Sequence, residues 1–251
     1  MHGVLCMKIL KRLLLAVFVI YLLPTFASAG WWAIQERPGR WSEARWSSAH
    51  LLPKPSESED AAIYIFSAAT GGMKGAVASH AWIVTKEKGA DSYMRYDKVG
   101  WGQPIRRNHR PADAYWYSNT PHLVTSVTGA KAELLIPKVE GAIAAYPYAE
   151  PGGYRIFPGP NSNTFVAHVL RTVPELDAVL PPHAVGRDYL PDGEFLHLDS
   201  DGRDVHVTLR GLLGISAGVR SGLELHFLGL VAGLDLANPG IKIPALGRIG
   251  L

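Results

Sequence analysis

A short apolar segment near the N-terminus constrains this chain more than any other feature. Residues 13–23 form a continuous apolar run, and Lys8, Lys11 and Arg12 precede it. Residues 27–29, Ala-Ser-Ala, follow with the small-x-small pattern typical of a signal-peptidase site. Positive charge before an apolar segment stays on the cytoplasmic side. The sequence therefore predicts that everything after this segment is carried across the membrane.

Two interpretations of residues 1–34 stay open. They form either a cleaved signal peptide or an uncleaved anchor, because the apolar character continues through Trp31, Trp32 and Ile34. The run from residue 13 to residue 34 is long enough to span a bilayer. Either interpretation predicts a protein of the cell envelope, on the periplasmic side of the inner membrane, with the membrane as its partner.

Composition narrows the classes of function. Apolar residues make up 47% of the chain and charged residues 19%, which is typical of a globular protein. The formal net charge is only +3, and part of it lies before the apolar run. Without a basic stripe, we expect no nucleic-acid partner.

The single cysteine, Cys6, also lies before the apolar run. The exported part therefore has no thiol for a disulfide, a zinc site or a cysteine nucleophile. The chain contains neither a glycine-rich nucleotide fingerprint nor an HExxH motif, so we predict no cofactor and no metal.

The part of the chain after the N-terminal segment is predicted to have an α+β fold. Residues 35–60 are predicted to be an irregular linker, and residues 61–251 a single domain with a core at 61–190 and a Gly/Leu-rich β extension at 191–251. Alternation and β-branched residues predict four core strands, at residues 63–66, 81–85, 93–99 and 123–127. A helix is predicted over 130–145, with a kink or a late start at Pro137. Its predicted apolar face contains Leu134, Leu135, Val139 and Ile143.

The C-terminal extension alternates apolar and polar residues, as at 205–210 and 223–227, with glycines between. This pattern favours an antiparallel hairpin or meander with one apolar face. A hairpin centred near Ser216 would place His206 opposite His226, which is how a metal site can begin. No third or fourth ligand is evident.

The helix predicted over 161–173 carries the most specific chemistry. Ser162 falls in its first turn, where free backbone N–H groups and partial positive charge can stabilise an oxyanion. A serine nucleophile needs a positioned base. His80, at the entry to an apolar strand, can supply it, and Asp97 on the neighbouring strand can orient the ring. Asn161 or Ser162 can cap the helix by accepting from free backbone N–H groups, and capping is the structural alternative for Ser162 and Asn163.

Two aromatic residues are candidates for a substrate pocket. Tyr154 lies near Gly152-Gly153, and Trp101 lies in a Gly-Trp-Gly turn that could border a cleft. Ordinary packing is the alternative for both.

Several stretches resemble a bacterial family known as domain of unknown function 3750. They are WSSAHLLP at 46–53, SHAWIV at 79–84, RYDKVGWG at 95–102, AYPYAEPGGYRIFPGPNSNTFVAHVLRTVPEL at 145–176 and VGRDYLP at 185–191, with the Gly/Leu-rich end. The resemblance covers nearly the whole exported part and implies no activity.

The middle hundred residues also resemble, more distantly, circularly permuted papain-like proteins of the NlpC-like and lecithin retinol acyltransferase-like groups. His80 matches their strand-start histidine, Ser162 falls on their cysteine, and Asn161 matches their leading Asn. This resemblance implies an antiparallel sheet with a papain-like core and helices packed on it. It implies a catalytic Ser162 and His80. Together with Asp97, proposed above from its strand position, these are the predicted catalytic residues, and Asn161, Asn163, Trp101 and Tyr154 are the predicted substrate-binding residues.

Two functions of different class follow. The first is a serine-variant papain-like hydrolase or acyltransferase, acting on an amide or ester of the cell envelope such as a lipid or a peptidoglycan peptide. The second is a non-catalytic, membrane-associated binding or scaffold protein, which the replacement of the cysteine by Ser162 favours.

Overall fold

A computed structural model of the chain describes residues 2–250 and has an α+β architecture. The helices are α1 (His2–Val17), α2 (Leu23–Ala33), α3 (Ala130–Ala144) and α4 (Ser162–Thr172). The first sheet contains β1 (Ala62–Ala69), β2 (Ser79–Lys86), β3 (Met94–Lys98), β4 (Ile105–Arg107) and β5 (His122–Thr128). The second sheet contains β6 (Leu196–Leu198), β7 (Asp204–Leu209), β8 (Leu213–Gly218), β9 (Gly222–Phe227), β10 (Leu230–Asp235), β11 (Gly240–Ile243) and β12 (Gly247–Gly250). Both sheets are antiparallel, which confirms the α+β prediction.

The apolar N-terminal segment is helical. A π-helical turn at Phe18–Leu22 joins α1 to α2, and the span Leu5–Ala33 is 29 residues long and contains an 18-residue stretch with a mean hydropathy of 2.1. By length and composition this helix can cross a membrane. Most of its side chains are exposed. A signal peptide and an anchor both remain compatible with it.

One face of the first sheet packs on α3 and α4. The strand order is β4-β3-β2-β1-β5, and alternate residues such as Ile63 and Ile83 enter a core with Phe165 and Val166 of α4. The predicted apolar face of α3 needs one correction, since Leu134 is 73% exposed while Leu135 is buried. Helix α3 also starts at Ala130 and continues past its internal proline, so the late start is wrong.

The opposite face of the first sheet is aromatic. Phe66 and Trp82 pack there against Trp116, and Trp46 covers them. The segment predicted as a linker, residues 35–60, contains two short 3-10 helices, Trp41–Glu43 and Pro55–Glu57, and is hydrogen-bonded to the domain. Asp113 accepts hydrogen bonds from the Ser48 hydroxyl and from two backbone N–H groups of the segment.

The second sheet is a seven-stranded meander in chain order. The hairpin that would have paired His206 with His226 is wrong, because β8 lies between β7 and β9. His206 pairs with Ser216 in the register, and His226 pairs with Gly214. The glycine-containing stretch that was predicted to connect the two strands of this hairpin forms strand β8.

Candidate functional site

His80 is held in a fixed orientation at the start of β2. Its Nε2 lies 2.9 Å from Oδ1 of Asp97. Its ring stacks on Trp116, with centroids 3.6 Å apart and the planes inclined by 3°. The hydrogen bond fixes the tilt of the imidazole, and the stacking fixes its plane.

Asp97 is fully buried and paired with a buried guanidinium. Arg95 Nε and Nη2 donate to its two carboxylate oxygens over 2.6 and 2.9 Å, a bidentate arrangement. The Arg95 guanidinium also lies over the ring of Trp82. Burial alone would raise the pKa of Asp97, but Arg95 and His80 outweigh it and hold that pKa well below its usual range. Asp97 is therefore ionised at neutral pH.

The protonation of His80 follows from these contacts. Burial lowers the pKa of His80 more than the Asp97 contact raises it, so the ring is neutral at neutral pH. An ionised carboxylate only accepts hydrogen bonds, so Nε2 carries the proton of the neutral ring. Nδ1 is then the unprotonated nitrogen, and the described residues give it no hydrogen-bond donor. This is the form of imidazole that can accept a proton.

Ser162 is the first residue of α4, and Asn161 caps the helix as predicted. The Asn161 Oδ1 accepts from the backbone N–H groups of Asn163 (2.9 Å) and Thr164 (3.2 Å). These two N–H groups are therefore occupied. The expectation that the first-turn N–H groups bind an oxyanion is wrong for these two.

Asn163 joins the start of α4 to the start of β2. Its Nδ2 donates to the carbonyls of Ser79 (2.9 Å) and Val185 (2.8 Å). Its Oδ1 is buried and has no partner in the described part of the chain. The Asn161 Nδ2 likewise donates to two protein carbonyls, those of Ile156 and Val185. Substrate binding by either asparagine stays a prediction.

His80 and Ser162 border one cavity of about 600 Å³. Its wall includes Asn161, Asn163, Trp101 and Tyr154, so six of the seven predicted site residues meet there; Asp97 lies behind His80. The apolar part of the wall is formed by Val77, Ile156, Phe157, Val185, Leu228 and Leu230. Thr25 of α2 also reaches it, so the cavity opens beside the N-terminal helix.

The two aromatic candidates occupy different parts of this cavity. Trp101 is 55% exposed at its rim. Tyr154 is partly buried beside Ser162, and Gly100 packs so closely on its ring that a Cβ there would approach it to 2.9 Å. Burial raises the pKa of Tyr154, although its contacts with Ser162 act in the opposite direction. Tyr154 is therefore a protonated hydrogen-bond donor.

No direct hydrogen bond joins the Ser162 hydroxyl to His80 within residues 2–250. Both side chains are almost wholly buried, at 3% and 4% exposure, and reach solvent only through the cavity. The structure thus brings the predicted pair to one cavity without pairing it.

Three residues at the site were missed by the sequence analysis. Arg95 lies two residues before Asp97, and strand alternation places both side chains on the same face, so this partner was detectable. His109 Nδ1 also lies 3.4 Å from Asp97. Trp116 carries no local signal, because a distant loop brings it to His80.

The histidines of the second sheet bind carboxylates separately. His206 contacts Ser216 and Asp199 over 2.9 and 3.1 Å. His226 lies 3.0 Å from Asp188 and 3.4 Å from Glu224. No cluster of three or more potential metal ligands occurs among the described residues.

His226 is expected to stabilise the fold in a pH-dependent way. Burial lowers its pKa, but Asp188 and Glu224 outweigh burial and raise the pKa to about 9. A raised folded-state pKa gives stability that is complete below about pH 6.5 and lost as the pH rises through 9. The advantage of wild type over His226→Gln in urea unfolding should shrink by about 3 kcal/mol between about pH 6 and pH 10. Thr172→Ala, which changes no titratable group, should show no such change, and a constant difference for His226→Gln would refute the assignment.

The Asn161 cap is expected to matter for stability. Asn161→Ala removes the acceptor of two helix N–H groups and the donor to two carbonyls, so we expect a loss of about 2–3 kcal/mol of unfolding free energy. Thr172→Ala, at the exposed end of the same helix, should cost less than about 0.5 kcal/mol. Urea unfolding followed by tryptophan fluorescence measures both, and equal losses would contradict the cap.

The fold and the site together define an α+β protein in which a carboxylate-bound imidazole and a helix-start serine share a cavity. A family model described as "Protein of unknown function (DUF3750)" matches residues 60–189, and the chain belongs to this family. The matched region contains His80, Asp97 and Ser162. No curated protein and no solved structure matches the chain. The papain-like resemblance stays a prediction.

Proposed function

We propose that the protein is a serine-dependent hydrolase or acyltransferase of the cell envelope that acts on an ester or amide. One observation carries the proposal: Ser162, at the start of α4, shares a cavity with a neutral imidazole whose Nε2 is bound by an ionised Asp97. A positioned base and a serine at a helix start are the parts that acyl transfer needs.

For the reaction to occur, the Ser162 side chain must rotate when substrate binds, so that its hydroxyl points toward His80. The Ser162 Oγ attacks the acyl carbonyl carbon, and its proton passes to His80 Nδ1. The tetrahedral intermediate collapses, and the leaving alcohol or amine takes the proton from His80. Water or an acceptor hydroxyl then attacks the acyl-serine while His80 takes its proton. His80 returns this proton to the Ser162 oxygen as that oxygen leaves. Asp97 stays ionised and stabilises the imidazolium.

The oxyanion donors differ from those that the sequence suggested. Asn161 occupies the N–H groups of Asn163 and Thr164, and the Ser162 N–H faces the Tyr154 hydroxyl oxygen. The Ser162 N–H is the first candidate donor, and it must exchange the Tyr154 oxygen for the oxyanion. The protonated Tyr154 hydroxyl beside Ser162 is the second candidate donor. A preorganised donor of this kind contributes about 3–4 kcal/mol to transition-state stabilisation.

The cavity wall supports an acyl substrate. Ile156, Phe157, Val185, Leu228 and Leu230 are apolar and suit a hydrocarbon chain. The N-terminal helix borders the same cavity through Thr25, and its apolar length supports a location at the inner membrane with the folded part in the periplasm.

A non-catalytic binding or scaffold protein is the second candidate. It is favoured by the lack of a hydrogen bond between Ser162 and His80 among the described residues and by the contact of Ser162 with Tyr154. In that case the cavity would bind an acyl group without cleaving it.

Hydrolysis of p-nitrophenyl acetate and octanoate by the purified full chain in detergent separates the two. Ser162→Ala should lower the rate at least about 10³-fold. Ser79→Ala changes another serine of the same cavity and is the matched control, which should stay close to wild type. Equal rates for wild type and Ser162→Ala would leave the scaffold interpretation.

A further inference from the structure

The second sheet exposes its aliphatic side chains on the face turned away from the protein. The register aligns them in rows across the strands. One row runs Leu196, Val207, Ile215 and Leu225, and another runs Leu223, Leu234, Ile241 and Ile249. Each of these eight side chains is between 46% and 58% exposed. We call this surface the aliphatic face.

The opposite face of the same sheet is polar and buried. Glu224 is 2% exposed and contacts Lys242 and Arg187. His226, at 4%, contacts Asp188. An antiparallel sheet in water buries its apolar face and exposes its polar face. This sheet does the reverse, so its outer face is suited to an apolar environment.

The extent of the aliphatic face is at the upper end of the range for surface patches. Seven strands at about 4.8 Å spacing span about 29 Å, and the four six-residue strands, β7 to β10, are about 20 Å long. Since the other three strands are shorter, the area is somewhat below about 600 Å², the size of the largest patches on soluble monomers. Moreover, the rows contain only Leu, Ile and Val, whereas protein interfaces are enriched in Tyr, Trp and Arg.

The N-terminal helix adjoins the aliphatic face. Val19, Ile20 and Leu23 border one groove together with Leu223, Leu225, Leu234 and Ile241. The Tyr21 hydroxyl donates to the Leu225 carbonyl over 2.7 Å. The helix and the sheet therefore present one continuous apolar surface.

The position along the helix sets the depth of this contact. Helices rise about 1.5 Å per residue, so Val19 and Ala27 lie about 9 and 21 Å along the helix from Leu13, where the apolar run begins. A hydrocarbon core is about 30 Å thick. In an anchored chain with Leu13 at the cytoplasmic edge, this segment lies in the middle of the hydrocarbon core, about 6 Å to either side of its midplane.

We propose that the aliphatic face lies against the acyl chains of the membrane that the N-terminal helix enters. The occupant is bilayer lipid, and the helix places the sheet there. This inference is independent of any catalytic role of Ser162. It makes the β meander a membrane-docking device and brings the cavity mouth, with Leu228 and Leu230, to the lipid surface.

Spin labels can locate the face relative to lipid. Cys6 is exposed and is the only cysteine, so a Cys6→Ser full chain accepts single labels at chosen sites. Ile215→Cys and Leu223→Cys probe the aliphatic face. Leu134→Cys is the matched control, because Leu134 is an equally apolar, exposed leucine on α3. The protein is reconstituted in phosphatidylethanolamine and phosphatidylglycerol vesicles, and collisions with oxygen and with a water-soluble nickel chelate are measured.

Labels at positions 215 and 223 are expected to collide with oxygen several-fold more, relative to nickel, than the label at position 134. A nickel accessibility equal to that of position 134 would show a water-exposed face and overturn the proposal. Low accessibility to both reagents, with dipolar broadening between labels, would show that a second copy covers the face and would equally overturn it.

Discussion

His80→Gln is expected to lower kcat/KM for ester hydrolysis by about 10³–10⁴-fold. Glutamine can keep a hydrogen bond to Asp97 but cannot take a proton from Ser162. His109→Gln is the matched control, because His109 also contacts Asp97 but does not border the cavity. We expect its rate to stay within a few-fold of wild type.

The pH profile of the same reaction gives an independent check. Burial lowers the pKa of His80, so the base is neutral and active at pH values where a free histidine is already protonated. Wild-type kcat/KM should therefore stay constant from neutral pH to below about pH 6.5 and fall only under more acidic conditions. A profile that falls midway at the ordinary histidine pKa, or equal loss in both histidine variants, would remove His80 as the base.

Asp97→Ala is expected to lower the unfolding free energy by about 3–5 kcal/mol. The substitution leaves the Arg95 guanidinium, which is 0% exposed, without its bidentate carboxylate partner. The pair is also the main cause of the depressed Asp97 pKa, and this depression gives stability that is present above about pH 4 and lost as the pH falls further. Urea unfolding in detergent at neutral pH measures the loss.

A double variant shows whether the loss comes from the unpaired charge. In Arg95→Met/Asp97→Leu no buried charge remains without a partner, so stability should recover to within about 2 kcal/mol of wild type. Asp113→Ala removes a buried carboxylate that only accepts hydrogen bonds from the 48–52 segment, and should cost about 1–3 kcal/mol. An Asp97→Ala variant as stable as wild type would contradict the pairing.

Local sequence patterns predicted the elements that carry the site. The apolar spacing and the Asn161 cap fixed α4 almost to its ends, and strand alternation located β2 and β3. These signals act over a few residues, so they survive without knowledge of the tertiary fold. The grouping of His80, Asp97 and Ser162 was proposed from their positions at a strand entry, on the neighbouring strand and at a helix start, and the resemblance supported it for His80 and Ser162.

The sequence predictions were wrong or incomplete for features that long-range contacts determine. Leu134 fits the period of α3, but the sheet contacts the neighbouring stripe that contains Leu135. In the second sheet, alternation identified which residues share a face but not which face is buried. The buried face proved to be polar because Arg187 and Asp188, from another segment, neutralise Glu224 and His226. Trp116 stacks on His80 from a loop, and no local pattern in the sequence of that loop predicts the contact.

The covalent intermediate is the most direct test of the proposed chemistry. The full chain is treated with a fluorophosphonate, which phosphonylates activated serines, and the modified peptide is mapped by mass spectrometry. The proposal predicts one adduct on Ser162 in wild type and in Ser79→Ala, and none in Ser162→Ala or His80→Gln. Unmodified Ser162 in a folded wild-type protein, or an adduct on another residue, would contradict it.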